Sequence, residues 1–210
     1  MSYVTLKGPA EAELTEKKSR FVAAAAPVGD EREALDFIES RRRLHRTAAH
    51  TVYAYFLRQG NIRRCSDGGE PQGTGGIPVM ELMAKEGLTD VCLVVSRYFG
   101  GTLLGTGGLT RAFTGAASLA LAAAQRRTMV CCRAYELSLG YAQYQRIQRL
   151  IAGLGGHILR ADYGETVRVE LLLPADKGED FEKKLAEETA ATASLRFVEK
   201  RYEDAAFFTC

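Results

Sequence analysis

The sequence predicts an α+β protein in two domains, on three observations. The first is the order of elements after residue 134. A strand over 134–139, a helix over 141–154, strands over 157–163 and 166–173, a helix over 175–190 and a strand over 194–202 give βαββαβ, the ferredoxin-like pattern. The second is a run at 91–98 (VCLVVSRY), apolar for most of its length, between two glycine-rich loops and followed by an alanine-rich helix over 106–125. The third is a change of charge. Residues 1–133 carry 18 Lys and Arg against 13 Asp and Glu, while residues 134–210 carry 10 against 13. The first domain is therefore placed at 1–133 and the second at 134–210. A chain of 210 residues is long enough for both to bury a core.

The elements of the first domain follow from local pattern. Residues 3–6, 11–15 and 21–28 read as strands. Asp30 followed by Glu33 resembles a capping box, and Ala34, Phe37, Ile38, Arg41 and Leu44 then recur at helical spacing. The run Arg41-Arg42-Arg43 suits the dipole of a last turn. Residues 50–57 (HTVYAYFL) alternate and carry aromatics, as a strand does. A glycine-rich loop is expected over 58–76, and a helix over 77–86 with Pro78 in its first turn.

Composition narrows the function. A net charge of +2 excludes a strongly polycationic nucleic-acid coat. The five cysteines are odd in number, include the vicinal pair Cys131 and Cys132, and form no CxxC spacing. That pattern argues against a disulfide framework or zinc ribbon and predicts a cytoplasmic protein. Lys17, Lys18 and Arg20 before the apolar run 21–28 imitate a signal peptide. The run is short, follows three glutamates and holds Pro27, so it reads as a buried strand. No stretch is long enough to span a membrane.

Glycine points to the site. Eleven of the 21 glycines fall in 66–108. The first loop contains Ser66, Asp67, Glu70, Gly73 and Thr74. Its carboxylates can hold a cation, exchange protons, or accept hydrogen bonds in an Asx-type turn. The second loop runs from Arg97, Tyr98 and Phe99 through Gly100, Gly101 and Gly105 to Gly107, Gly108 and Arg111. Open N–H groups at a helix start favour an anion, and glycines let a phosphate approach. Tyr98 and Phe99 can stack on bases, although strand alternation predicts that at least one of them is core. The loop is neither a Walker A sequence nor the dinucleotide fingerprint. His45 and His50 are poorly spaced for zinc, a lone structural histidine is the commoner reading of His50, and His157 reads as a solvated or packed residue.

These residues carry a family likeness. The stretch from Gly87 to Gly105, with Ser19-Arg20-Phe21, Ala49-His50, Tyr53-Ala54-Tyr55 and the stretch from Ser66 to Pro78, resembles the IMPACT family in its bacterial, YigZ-like branch. The resemblance implies a first domain like domain 2 of ribosomal protein S5, a βα sandwich, followed by a ferredoxin-like domain. Two departures stand out. The family pattern Ser-Asp-Asp-Gly-Glu-Pro reads here Ser-Asp-Gly-Gly-Glu-Pro, with Gly69 intruding and one acid fewer, and Gly75 replaces a usual alanine.

The resemblance also implies a non-enzymatic binding protein linked to translation regulation, whose partner is RNA, the ribosome or a translation-related protein. No catalytic residue, metal or cofactor is assigned. The expected nucleic-acid or anion site comprises Lys18, Arg20, His50, Ser66, Asp67, Glu70 and Gly73, together with Arg97 through Gly101, Gly105, Gly107, Gly108 and Arg111. Two alternatives stay open. One is an enzyme or small-molecule binder for a phosphorylated ligand at the same cleft. The other is a protein adaptor that docks through the ferredoxin-like part.

Overall fold

A computed structural model describes residues 2–208; Cys210, one of the five cysteines, lies outside them. The chain divides into two compact units, residues 3–127 and, with residue 2, residues 128 onward.

The first unit is built on an antiparallel sheet of β2 (Ala10–Glu16), β3 (Ser19–Pro27), β4 (His50–Leu57), β5 (Ile62–Ser66) and β6 (Val91–Tyr98), in the order β2-β3-β6-β4-β5. Strand β1 (Ser2–Leu6) precedes them. Helix α1 (Glu31–Leu44) covers one face, where Ala34 and Ile38 pack on Tyr55, Leu57, Cys92 and Val94. Helices α2 (Gly76–Lys85) and α3 (Thr106–Ala123) cover the other, over Phe21, Ala23, Val52, Leu93 and Val95. Strand β6 is thus covered on both sides, which is why its sequence is almost continuously apolar.

Local chemistry sets the ends of these elements. Asp30 accepts the Glu33 N–H at 2.8 Å as predicted, but the Glu33 carboxylate reaches one residue further back, to the Gly29 N–H at 2.7 Å. The predicted loop over 58–76 is corrected. Residues 59–61 form a short 3-10 turn in which Gly60 and Asn61 take positive φ, and β5 follows as an edge strand on β4. Arg63 and Arg64 keep that edge charged, which hides the strand from a hydrophobicity reading and blunts edge-to-edge pairing.

Strand β7 (Arg126–Leu139) runs unbroken, so the charge break at 133 falls inside a strand. In the second unit the strands run β10-β7-β9-β8, with β8 (His157–Tyr163), β9 (Val167–Pro174) and β10 (Ser194–Asp204) all antiparallel to their neighbours. Helices α4 (Tyr141–Gly153) and α5 (Gly178–Thr189) bury Ile147, Ile151, Phe181 and Leu185 against Leu137, Val169 and Leu171. This is the predicted ferredoxin-like arrangement. Residues 175–177 form a separate 3-10 turn rather than the first turn of α5. The opposite sheet face carries Glu136, Arg168, Glu170 and Arg196, and Phe208 packs at its end on Cys132, Ala134 and Leu172.

Candidate anion and nucleic-acid site

Asp67 stands where β5 gives way to the loop before α2. Its Oδ1 accepts the Gly75 and Gly76 N–H groups at 2.9 and 2.8 Å, and its Oδ2 accepts Gly73 N–H at 2.9 Å. It therefore caps the start of α2 and closes the loop, which is the Asx-type reading in extended form. Burial disfavours its charge, but the N–H groups of Gly73, Gly76 and Gly75 outweigh that and hold its carboxyl below the ordinary range. Ser66 Oγ accepts the Gly68 N–H at 3.2 Å, so this hydroxyl too serves the loop. Asp67→Ala should lower stability by about 2 kcal/mol, read as a shifted urea midpoint. Because the folded pKa is depressed, the contribution is complete above the unfolded value of about 3.9 and is lost as pH falls through the folded one. The stability gap between wild type and Asp67→Asn should accordingly narrow in acid.

The glycine departure has a structural place. Aligned residue by residue, the family pattern puts the missing acid at Gly68, not Gly69. Gly68 has φ +56, and a Cβ there would lie 1.9 Å from the Thr51 carbonyl oxygen. An aspartate at 68 would need the loop to move off β4. At Gly75 an alanine methyl would press on Val52 at 2.7 Å, so both departures allow closer packing of loop on sheet.

Three predicted residues converge. His50 and Arg97 are cross-strand partners on β4 and β6. Glu70, whose side chain is 2% exposed, receives Arg97 Nη1 at 2.7 and 2.9 Å. His50 Nδ1 donates to the Gly68 carbonyl at 3.2 Å, and Nε2 faces Glu70 at 3.9 Å. The three border a cleft of about 500 Å³ together with Phe99, Leu103, Leu104 and Leu109. Arg97 is thus committed to a carboxylate and buried, not held out for phosphate.

Alternation sends Tyr98 to the opposite face. Its hydroxyl meets His45 Nδ1 at 2.8 Å, under the Arg20 guanidinium 4.5 Å from its ring. Arg41 Nη2 lies 2.9 Å from His45 Nε2 and 2.6 Å from Glu11. Arginine only donates, so neutral His45 carries its proton on Nδ1 and gives it to Tyr98. Burial, then the Arg41 charge, push the His45 pKa down. Neither aromatic is core: Tyr98 is half-buried and Phe99 is 52% exposed. That overturns the expectation of at least one core ring. The physical reason is that α1 ends beside β6, where His45 and Arg20 take the polar tip and the face of Tyr98, while Phe99 lies past the strand end.

The helix start is open. Gly105 is the N-cap of α3 with φ +70, no side chain caps the first turn, and that turn holds no acid. Gly101, Gly105 and Gly107 have nothing within 4 Å of a built Cβ. Gly100 is different: its N–H donates to Ser19 Oγ at 3.2 Å, and a Cβ would meet the Lys18 carbonyl carbon at 2.0 Å. The Lys17-Lys18 tip of the β2–β3 hairpin is thereby held beside the loop. Glu16, Lys17, Gly108 and Arg111 together line a second hollow of about 180 Å³. Arg20 pairs with Glu13 at 3.5 Å. The sequence reading missed Lys17, Leu103 and Leu104. Lys17 was legible as Lys18's partner in a two-residue turn; the leucines carry no chemical signal of their own. No cluster of three or more His, Cys, Asp or Glu able to hold a metal occurs among the described residues. No helix among them is long and apolar enough to cross a membrane.

A sheet covered on both faces, with two glycine loops and an open helix start at one end, followed by a ferredoxin-like unit, defines a two-domain α+β protein. The profile of the Impact N-terminal domain matches residues 17–121, and that of a domain of unknown function, DUF1949, matches residues 137–192. The chain belongs to the IMPACT family. It is similar to IMPACT family member YvyE of Bacillus subtilis, 32% identical over 205 residues covering 96% of this chain and 93% of the relative. It is also similar to IMPACT family member YigZ of Escherichia coli, 34% identical over 187 residues covering 88% and 92%. A solved crystal structure of a hypothetical protein superposes with a TM-score of 0.64 at 32% identity, covering 94% of this chain and 98% of that one.

Proposed function

We propose that this chain is a non-enzymatic binding protein linked to translation, and that its first unit contacts single-stranded RNA through the phosphates. Family membership supports the link to translation. The observation that carries RNA contact is the meeting of Lys17 and Arg111 at one hollow beside the uncapped, acid-free start of α3. Lys18 adds a third cation at the hairpin tip. The excess of basic over acidic residues in 1–133 gives the same unit the attractive long-range field.

Filter binding of a single-stranded oligoribonucleotide at about 50 mM salt tests this. Joint charge reversal, Lys17→Glu with Arg111→Glu, should weaken binding at least about tenfold. It should also flatten the slope of log K against log salt by about 0.7 for each phosphate no longer neutralised. Binding that ignores both reversals would reject the reading, as would no binding at low salt.

A further inference from the structure

Loop residues 99–105 separate the hollow of Lys17 and Arg111 from the larger cleft, and Leu104 borders both. Phosphate contact explains only the first. The larger cleft, about 500 Å³, lies within the range of small-ligand sites, roughly 300–1,000 Å³. Its walls are apolar side chains held out in water, with Phe99 52% and Leu103 83% exposed. Its floor is polar, formed by Glu70, Arg97 and His50. Gly105 and Thr106, the N-cap and first residue of α3, stand at the same cleft.

Arg97 is the independent sign of a ligand. Only 6% of its side chain is exposed, Nη1 is taken by both Glu70 oxygens, and buried Nε donates to nothing. A buried donor without an acceptor is unfavourable, and a ligand that drew the guanidinium toward the cleft Arg97 lines would supply one. His50 stands beside Arg97 on the same cleft, with Nδ1 against the Gly68 carbonyl and Nε2 3.9 Å from Glu70. Polar side chains beside an exposed aromatic ring suit the edge and the plane of a nucleobase.

We propose that this cleft holds one nucleotide unit, its phosphate on the open start of α3 and its base against Phe99, with Leu103 and Leu104 beside it and its polar edge toward Arg97 and His50. For a nucleotide within a strand, the inference rests on the RNA contact proposed above. A free nucleoside monophosphate presents the same chemistry, so the test has an arm for each source.

The probes are a ten-residue oligoadenylate, followed by fluorescence anisotropy across a salt series, and AMP, followed by calorimetry. The variants are Phe99→Ala and, as a second exposed site, Leu103→Ser, each checked for an unchanged thermal midpoint. Phe99→Ala should weaken oligoadenylate binding about tenfold with the salt slope unchanged, because losing a base stack releases no counterion. It should also remove the heat of AMP binding. Phe99-dependent binding of oligoadenylate alone supports the cleft with a strand as the source. Phe99-dependent binding of AMP alone supports it with a free nucleotide as the source and sinks the RNA reading. Oligoadenylate bound equally by wild type and both variants, with no heat from AMP, overturns the cleft and leaves the RNA reading standing. No binding of either probe overturns both.

Discussion

Gly68→Ala is expected to cost about 4 kcal/mol or more, close to the whole margin of a typical domain. Two separate penalties meet at this position. The backbone has φ +56, where an L side chain is strained by roughly 1–2 kcal/mol. The new methyl would also sit 1.9 Å from the Thr51 oxygen and 2.4 Å from its carbon. Both atoms belong to the backbone of β4, a strand held by β5 and β6 on either side, so they cannot swing away as a side-chain end could. Gly73 separates the two penalties. It has φ +78 but nothing within 4 Å of a built Cβ, so Gly73→Ala should show the strain alone, about 1 kcal/mol. Urea midpoints for the pair give the clash by difference. Equal midpoints would mean that the loop does not rest on β4.

The second large effect is at the Glu70–Arg97 pair. Glu70→Leu or Arg97→Met alone should destabilise by about 3–5 kcal/mol, because each strands a charge whose side chain is at most 6% exposed. The double variant should recover most of that loss, since an apolar pair of similar volume removes both desolvation costs. A double-mutant cycle therefore predicts a coupling of several kcal/mol, well outside the additive behaviour of distant sites. Additive losses would show that the two side chains are not paired. Glu70 lies in a loop and Arg97 at the end of a central strand, so this contact also fastens the first glycine loop to the sheet.

The parts of this structure that sequence reveals are those with a short-range cause. Strand β6 was legible because both its faces are covered and its residues are apolar on both. Helix α1 was legible from Asp30, Glu33 and the spacing of Ala34 and Ile38. The second unit followed from six elements in a fixed order. Strand β5 was not legible, because Arg63 and Arg64 show no alternation and its pairing comes only from β4. The site divides in the same way. Asp67 as a loop organiser follows from an acid ahead of closely spaced glycines. The Glu70–Arg97 pair joins residues 27 apart, and the Tyr98–His45 bond joins residues 53 apart, so no local pattern announces either. Sequence spacing relates His45 only to His50, as a poor zinc pair, whereas the fold sets it against Tyr98 and Arg41.

Lys17 and Lys18 have φ of 43 and 68 at a two-residue hairpin tip, where Glu16 pairs with Ser19. That is the type I′ geometry, which an Asn-Gly pair fits with little strain and lysine does not. The tip is also clamped from outside, because Gly100 donates to Ser19 and packs on the Lys18 carbonyl. The two ammonium groups therefore swing from fixed anchor points, not from a wandering loop. The phosphate contact proposed above would meet two mobile side chains on an ordered backbone, whose ordering entropy is lost during folding rather than at the encounter. Replacing Lys17→Asn together with Lys18→Gly would make a more comfortable turn and an uncharged one; in this chain the charge stands at the expense of local backbone stability.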